Sequence, residues 1–515
     1  MYIEPNTNIR LLNNVPLDNT YEHTLYFSGE SSQRDYFISL TKYNLTNYTY
    51  QRVNKGKARV GIKADNIYDC NYMMFQNTSY GNKWFYAFIT SVEFINNECA
   101  EITFEIDVLQ TWLFDFTLKQ CFIERQHTVT DNPYEHYEPE PLDFGDMVQW
   151  GAYSGTVDWN DWVLVICTAP LNTGGGTPQL ALLQNGMVSC AEYYTCLNTS
   201  ESVNDFINNV LPGQAQDSIL SAYLFPNAFV DAPKTGHLPD TYIESPRTVD
   251  SGVISAPTSI DGYTPKNKKL FCSPYMLYEV TDNCGDSQFY KPELFYTTDT
   301  KGVAQFKITG VYVGVPQIVV YPINYKGNNI NYAEGYTITG FPMMGISCDT
   351  FRAWLAQNAG NIALNTVANL FSGVSSVATG NVGGAVSSAL GVAQTVNNYM
   401  LASNLPNRMI TRDSSGVMAA LKQKKPIFKI KTITAMYARM IDDYFTKYGY
   451  AIGVLATPNI HARPHWTYCK TNGCVLVGNM PQDDIRKVCQ IFDNGITWWV
   501  NGSEVGNYSL DNSPA

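Results

Sequence analysis

Charge is scarce in this sequence, and in one place it is missing altogether. Residues 353–407 contain no Asp, Glu, Lys or Arg, although the overall 16% charged content would place about nine in a window of that length. Hydrocarbon excludes ions far more strongly than amides and hydroxyls, so the gap points to a segment that meets lipid. Basic runs are missing too. The net charge is -12, and without clustered Lys and Arg to release counterions, tight nucleic-acid binding is disfavoured. The opening MYIEPNTNIRLL lacks a basic stretch followed by an apolar core, so no secretory signal is expected and folding is placed in a cytosol. The twelve cysteines are scattered. Cys70, Cys121, Cys167, Cys348 and Cys489 lie in apolar strand or helix patterns and read as reduced core residues. Cys190 with Cys196, and Cys469 with Cys474, are the close pairs, and neither spacing matches a zinc knuckle.

Catalytic signatures are absent as well. In HARPH (residues 461–465), Pro464 interrupts the helix that would align His461 with His465, and no Glu follows His461. NTGGGT (residues 172–177) lacks the Lys of a phosphate loop, and there is no G-x-S-x-G elbow. No repeat of 20 to 50 residues appears. The chain reads as a non-enzyme with no catalytic residue, metal or cofactor.

Strand formers dominate what is present. Thirty-five Tyr and 13% aromatics, with abundant Asn, Thr and Val, predict a mainly β protein with a few helices, an α+β fold. FISL (residues 37–40) and the long runs at 84–95 and 101–116 read as strands, with Asn96 and Asn97 turning the chain between the last two. Ile102, Phe104, Ile106 and Val108 alternate with Glu101, Glu105 and Asp107, which predicts one buried face and one wet, acidic face. The acidic, proline-spaced stretch at 134–146 reads as a solvated linker, because Pro139 and Pro141 keep its carboxylates apart. Beyond it, 162–169, 270–282 and 305–322 are strand-like, and TDNCGD (281–286) suits a hairpin connection between two of them. Two helices follow the window. One carries Met440, Ile441, Tyr444 and Phe445 on a face and stops at Gly449. The other begins at Pro481, places Asp483 and Asp484 at its positive end, turns Ile485, Val488, Cys489 and Phe492 inward, and stops at Gly495.

The charge-free window is itself patterned. Asn358, Asn361, Asn365 and Asn369 recur at steps of three and four and form one polar stripe on a helix. Val367, Leu370, Phe371 and Val374 cover the opposite face. After Gly380, Gly383 and Gly384, a second arm aligns Val386, Val392, Val396 and Met400. Two amphipathic arms around a glycine turn make a helical hairpin, and each arm approaches the ~20 residues that cross a bilayer. A soluble surface helix would carry Lys and Glu on its polar side. This one is neutral, so the segment is expected to be sheltered first and inserted later. Trp354, Leu355, Leu364, Val367, Leu370, Phe371 and Val374, with Val386, Leu390, Val392, Val396 and Met400, are the candidate inserting residues, and the Asn stripe lines an interface or pore. A hairpin buried on its own domain, or an Ala/Gly/Ser linker, is the competing use of the window.

Four blocks carry a family resemblance: MMFQNTSYGNKWFYAF (73–88), FEIDVLQTW (104–112), KYGY (447–450) and IFDNGITWW (491–499). With the charge-free window between them, they resemble the distal tail-tube or tail-knob proteins of small short-tailed phages of Gram-positive bacteria, the φ29 group. The stretch at 131–349 matches poorly, as an insertion that varies with the host would. The resemblance implies a β-rich tail-tube domain built from residues 1–130 and 410–515, an inserted β-rich knob domain at 131–350, and a membrane-active helical loop at 351–409. It further implies a homohexameric ring in the distal tail of the virion, made in the host cytoplasm and joined to other phage tail proteins. Its loops plug the lumen and then enter the host cell membrane, and double-stranded DNA passes without sequence-specific binding. Glu101, Glu105 and Asp107 are expected to line that lumen. The alternatives are a receptor-binding protein that reads host cell-wall carbohydrate and a wall-degrading hydrolase.

Overall fold

The computed structural model describes residues 6–48, 56–78, 81–132, 135, 137–153, 155, 157–169, 192–197, 202, 205–211, 218–230, 248–282, 284–296, 302–312, 316–341, 343–345 and 424–514. These residues are mostly β with few helices and fall into two compact units. The first draws on Met1–Asp146, Gly262–Cys272 and Ile433–Ala515, the second on Met147–Asp261 and Ser273–Thr432.

In the first unit the N-terminal elements are β1 (Thr7–Asn13), β2 (His23–Leu25), α1 (Glu30–Ser39), β3 (Thr41–Tyr48), β4 (Lys57–Val60), β5 (Cys70–Gln76), β6 (Phe85–Asn96), β7 (Cys99–Ile106), α2 (Val108–Trp112), β8 (Phe116–Leu118) and β9 (Cys121–Gln126). Six of the strands form an antiparallel sheet in the order β3-β1-β5-β6-β7-β4. One face is apolar because every second residue of β7 (Ala100, Ile102, Phe104) is buried, as are Met73 and Phe75 of β5 on the same side. Asn97 and Glu98 make the tight turn between β6 and β7, where Asn96 faces Cys99.

Two expected strands are partly helical. FISL lies at the end of α1, because Gln33 and Phe37, one turn apart, point to the same side. Phe37 is fully buried and stacks 5.3 Å from Tyr72, and Gln33 donates to the Gln110 carbonyl at 2.7 Å. Packing of that face overrides the strand preference of Phe-Ile. The run at 101–116 breaks at Asp107, whose Oδ1 accepts from the N–H groups of Leu109 and Gln110 at 3.1 Å each and so caps α2.

The C-terminal part of this unit adds the helices Ala435–Tyr448 and Gln482–Asn494 and the strands Tyr450–Ala456, Trp466–Asn472, Leu476–Gly478 and Ile496–Trp499. Both helices end where the glycine pattern placed their stops, at Gly449 (φ 65°) and Gly495 (φ 94°). Gly449 has a second reason: a Cβ there would collide with the Gln126 backbone. A five-stranded sheet runs β2, Ile496–Trp499, Trp466–Asn472, β9, Tyr450–Ala456. Its first pair is parallel, with His23 opposite Thr497 and Leu25 opposite Trp499. Trp466, Trp498 and Trp499 are fully buried in it, so the two termini share one aromatic core.

Among the described residues the second unit has three sheets. Met147–Tyr153, Ile427–Ile433, Met276–Thr281 and Ser287–Tyr290 form one, and Thr281 faces Ser287 across the expected hairpin. Glu192–Leu197, Trp162–Thr168, Ile219–Pro226 and Met343–Gly345 form another, with Trp162–Thr168 buried along its whole length, as its continuous apolar run requires. The third contains Thr248–Ile254, Ala304–Val311, Gln317–Tyr325, Asn328–Ile330 and Tyr336–Ile338.

Candidate functional site

The hairpin window lies outside the described residues, and so do all its predicted site residues, from Trp354 and Leu355 through the Asn stripe to Met400. Among the described residues no helix is long and apolar enough to cross a membrane.

The predicted acidic face is described, and it differs from expectation. Glu101 reaches Lys57 with one oxygen and Arg59 with the other, both at 2.9 Å. These bonds hold its carboxyl below the usual range. On β6, Glu93 lies directly opposite Glu101, a like-charge pairing that the two cations on β4 offset. Burial alone would raise Glu105, but Lys487 and Asn19 bind its carboxylate and the net shift is downward. Asp107 does not belong to this face. It is 1% exposed, its Oδ2 accepts from the Tyr72 hydroxyl at 2.9 Å, and burial pushes its carboxyl up to about 6 against those bonds. The strand period ends one residue before it.

A second polar cluster was not foreseen. The stretch at 134–146 is not wholly solvated: the Glu140 side chain is fully buried between Arg125 and Lys269, 2.7 Å from the Lys269 Nζ, and accepts the Ala451 N–H at 2.8 Å. Arg125 also donates to the Gly449 carbonyl at 2.7 Å and lies over the Tyr444 ring. Nearby, the carboxylate of Asp442 accepts from the Tyr263 hydroxyl (2.6 Å) and from the N–H groups of Lys266 (2.8 Å) and Asn267 (2.9 Å). Two stretches that adjoin the unit's crossing points, 131–146 and 262–272, are thereby fastened inside it. Asp442 was legible in principle, since it shares the helix face of Ala438, Ile441 and Phe445. Glu140 gave no such signal, its partners being 15, 129 and 311 residues away.

HARPH serves packing: His461 stacks 4.4 Å from Tyr26, His465 bonds Glu504 at 2.8 Å, and the buried Arg463 donates to the Thr128 carbonyl at 2.6 Å. The histidine that matters is His127. Its Nδ1 accepts the Tyr468 N–H at 2.8 Å, so Nε2 carries the proton toward the Thr446 carbonyl at 3.1 Å. Burial, and then the Arg463 charge, pushes the ring down to about 3. The unfolded chain takes up this proton near 6.5 and the folded one does not, so stability is lost as pH falls from there toward 3. The stability difference between wild type and His127→Gln, followed by urea unfolding, should therefore shrink by up to about 1.4 kcal/mol per pH unit over that range. A constant difference between pH 6 and 4 would contradict a neutral buried ring. Asp107 acts in the opposite sense, adding stability as pH falls from about 6, which is why the comparison with a variant is needed.

Residues 247–513 match the family model of the C-terminal domain of tail knob protein gp9 of Bacillus phage phi29. The chain belongs to this tail knob family. Residues 5–117 match a second family model, the N-terminus of caudoviral major tail proteins. The tail knob proteins gp9 of Bacillus phages phi29 and PZA are 27% and 26% identical to it, each alignment covering 98% of this chain and 98% of the relative. The tail knob protein gp12 of bacteriophage C1, 17% identical, has the same fold, with a TM-score of 0.64 over 98% of this chain and 99% of that one. The tail knob match begins inside the stretch at 131–349 that carried no recognisable block, so part of that stretch belongs to the family pattern as well. As a tail knob protein the chain is a structural component of the virion tail of short-tailed phages and associates with other tail components.

Proposed function

We propose that the chain is a subunit of the distal tail tube, assembled as a hexameric ring, whose charge-free loops plug the lumen and later insert into the host membrane as the wall of a channel for the genome, with no enzymatic step. The observation that carries this reading is the window at 353–407: a virion tail component that keeps every ion out of so long a stretch has a segment suited to hydrocarbon. Lys and Arg at 408, 412, 422, 424 and 425 follow it, where anionic headgroups would lie. The ring reading draws support from β3 and β4, which have no further strand beside them among the described residues and so edge the six-stranded sheet, and from Phe94 and Ile95, which are 54% and 42% exposed at the tip of the β6–β7 hairpin. A neighbouring copy would cover such edges. A synthetic peptide of residues 353–407 should release dye from liposomes. Liposomes that stay sealed at every peptide-to-lipid ratio would count against insertion.

The lumen face in this reading includes Glu101 and Glu105 and no longer Asp107. Its carboxylates occupy Lys57, Arg59 and Lys487, so the cations are not free to hold passing phosphates. Glu101→Lys should leave assembly intact and slow genome ejection at low ionic strength, with recovery in salt. Equal ejection rates for variant and wild type at low salt would remove DNA from this face.

A further inference from the structure

The outer side of the five-stranded sheet in the first unit is more apolar than contact with water favours. β9 and Trp466–Asn472 run antiparallel with Phe122 opposite Asn472, and on its other flank Phe122 lies opposite Leu455. The same two stretches continue as β8 and Leu476–Gly478, where Thr117 faces Val477 and the Lys119 N–H donates to the Val475 carbonyl at 2.8 Å. Along this ribbon Cys121, Ile123, Cys474 and Leu476 are buried, whereas Phe122, Val475, Val477 and Leu455 are exposed, the last of them by 76%. The wet side of an antiparallel sheet ordinarily carries polar residues. Four large apolar side chains there mark a surface that is covered in use. Tyr450–Ala456, which carries Leu455, is also the last strand of its sheet, with none beyond it among the described residues.

The same unit carries a second apolar surface, of the opposite form. β5 accompanies β6 only from Phe85 to Phe88, so from Ile89 onward the β6–β7 hairpin runs on with no strand on that side among the described residues. A two-stranded arm is marginal alone, and this one ends in the exposed pair Phe94 and Ile95. β7 is 8 residues long and sets the tip about 25 Å from the end at which the chain enters α2 and β8. Charge completes the match. Glu98 in the tip and Lys119 beside Val475 are both exposed, and neither forms an ion pair among the described residues.

We propose that the ribbon is covered by a second copy of this chain: the β6–β7 tip of one copy lies on Phe122, Leu455, Val475 and Val477 of the next, with Glu98 paired to Lys119 across the contact. This rests on the ring reading and names the surfaces that meet in it. The two surfaces differ and every copy offers both, so the contact is head to tail, the form that closes into a ring. Apolar burial supplies the attraction, and the opposite charges fix the direction in which the tip lies. A different protein seated on the ribbon would leave the tip of the same chain uncovered.

The test follows the purified full-length chain by light scattering through a dilution series at low salt. Wild type is expected as rings that dissociate at high dilution. Leu455→Asp and Phe94→Asp should each raise the dissociation midpoint roughly tenfold or more. Glu98→Lys and Lys119→Glu should each raise it several-fold, and the two together should return it toward wild type. In wild-type rings mixed from isotope-labelled and unlabelled chains, a carbodiimide should couple Glu98 to Lys119, with labelled peptides joined to unlabelled ones. Rings indifferent to Leu455→Asp and Phe94→Asp, a double reversal weaker than either single change, or 98–119 links confined to one chain would each overturn the proposal and leave the ring reading standing. A wild type that stays monomeric at every concentration would sink both. If an Asp variant does not fold, the wild-type coupling map and the charge reversals decide.

Discussion

Phe371→Lys virions are expected to assemble, attach to cells and fail to deliver DNA, and Val392→Lys virions to behave the same way. A Lys at the centre of an apolar arm costs about 2.5 to 3.5 kcal/mol on the insertion scale, and in a ring every inserted copy carries that cost. Folding is expected to be insensitive, because the cores of both units close with residues outside the window: Trp466, Trp498 and Trp499 in one, Val163, Phe225 and Phe306 in the other. Particle counts by electron microscopy, adsorption to cells, and release of DNA into them separate the three steps. Variants that misfold or never form particles would show instead that the window packs against its own chain, and the membrane reading would fall.

The second large effect is expected at Glu140. Replacing it by Gln keeps the shape but leaves Arg125 and Lys269 facing each other with no anion between them, and removing one partner of a buried ion cluster typically costs about 3 to 5 kcal/mol. Burial and the Arg125 charge already draw Lys269 down to about 7. Glu140, in contact with it, favours the charged ammonium. Glu140→Gln should lower the first unfolding transition, measured by urea or heat, far more than Glu138→Gln at the exposed neighbouring carboxylate. Arg125→Met, Glu140→Leu and Lys269→Met together should regain much of the loss, since an apolar trio leaves no buried charge uncompensated. A Glu140→Gln variant as stable as wild type would mean that the cluster contributes little to holding the stretches at 131–146 and 262–272.

Periodicity made the two C-terminal helices readable, because Ile441 with Phe445 and Val488 with Phe492 repeat at helical spacing and Gly449 and Gly495 adopt the φ that stops a helix. The turn after Thr281 was readable from its chemistry, although it leads into Ser287–Tyr290 and not into another of the expected strand runs. What misled was context at a distance. Phe37 looks like a strand residue until Tyr72 and Tyr86, far along the chain, receive its ring. Asp107 continues an alternating pattern by one residue too many, yet Asp107 and Gln110 have the spacing of a helix N-cap and its third position, a signal that competes directly with the strand period. Glu140 sits among prolines in a stretch whose other acids are exposed, and only a fold that brings residues 125, 269 and 451 around it explains its burial. Local signals thus located elements well, while the charge state of the predicted acidic face depended on partners that no local pattern names.

The parallel pairing of His23–Leu25 with Thr497–Trp499 has a consequence in time. A ribosome releases the N-terminal strand early, but the strand it pairs with among the described residues is not complete until residue 499 has cleared the exit tunnel. At about 5 to 20 residues per second the wait is on the order of half a minute or more. Throughout it the first unit lacks Trp466, Trp498 and Trp499 and cannot close, whereas the second unit's strands, ending at Ile433, emerge earlier. Synthesis order therefore makes the inserted unit the first to mature, and the 353–407 segment, which falls within that unit's span of sequence, is fully synthesised before the first unit is complete. An infected cell must shelter that segment for the interval, so nascent chains stalled between residues 410 and 490 are the species to which its chaperones should bind most.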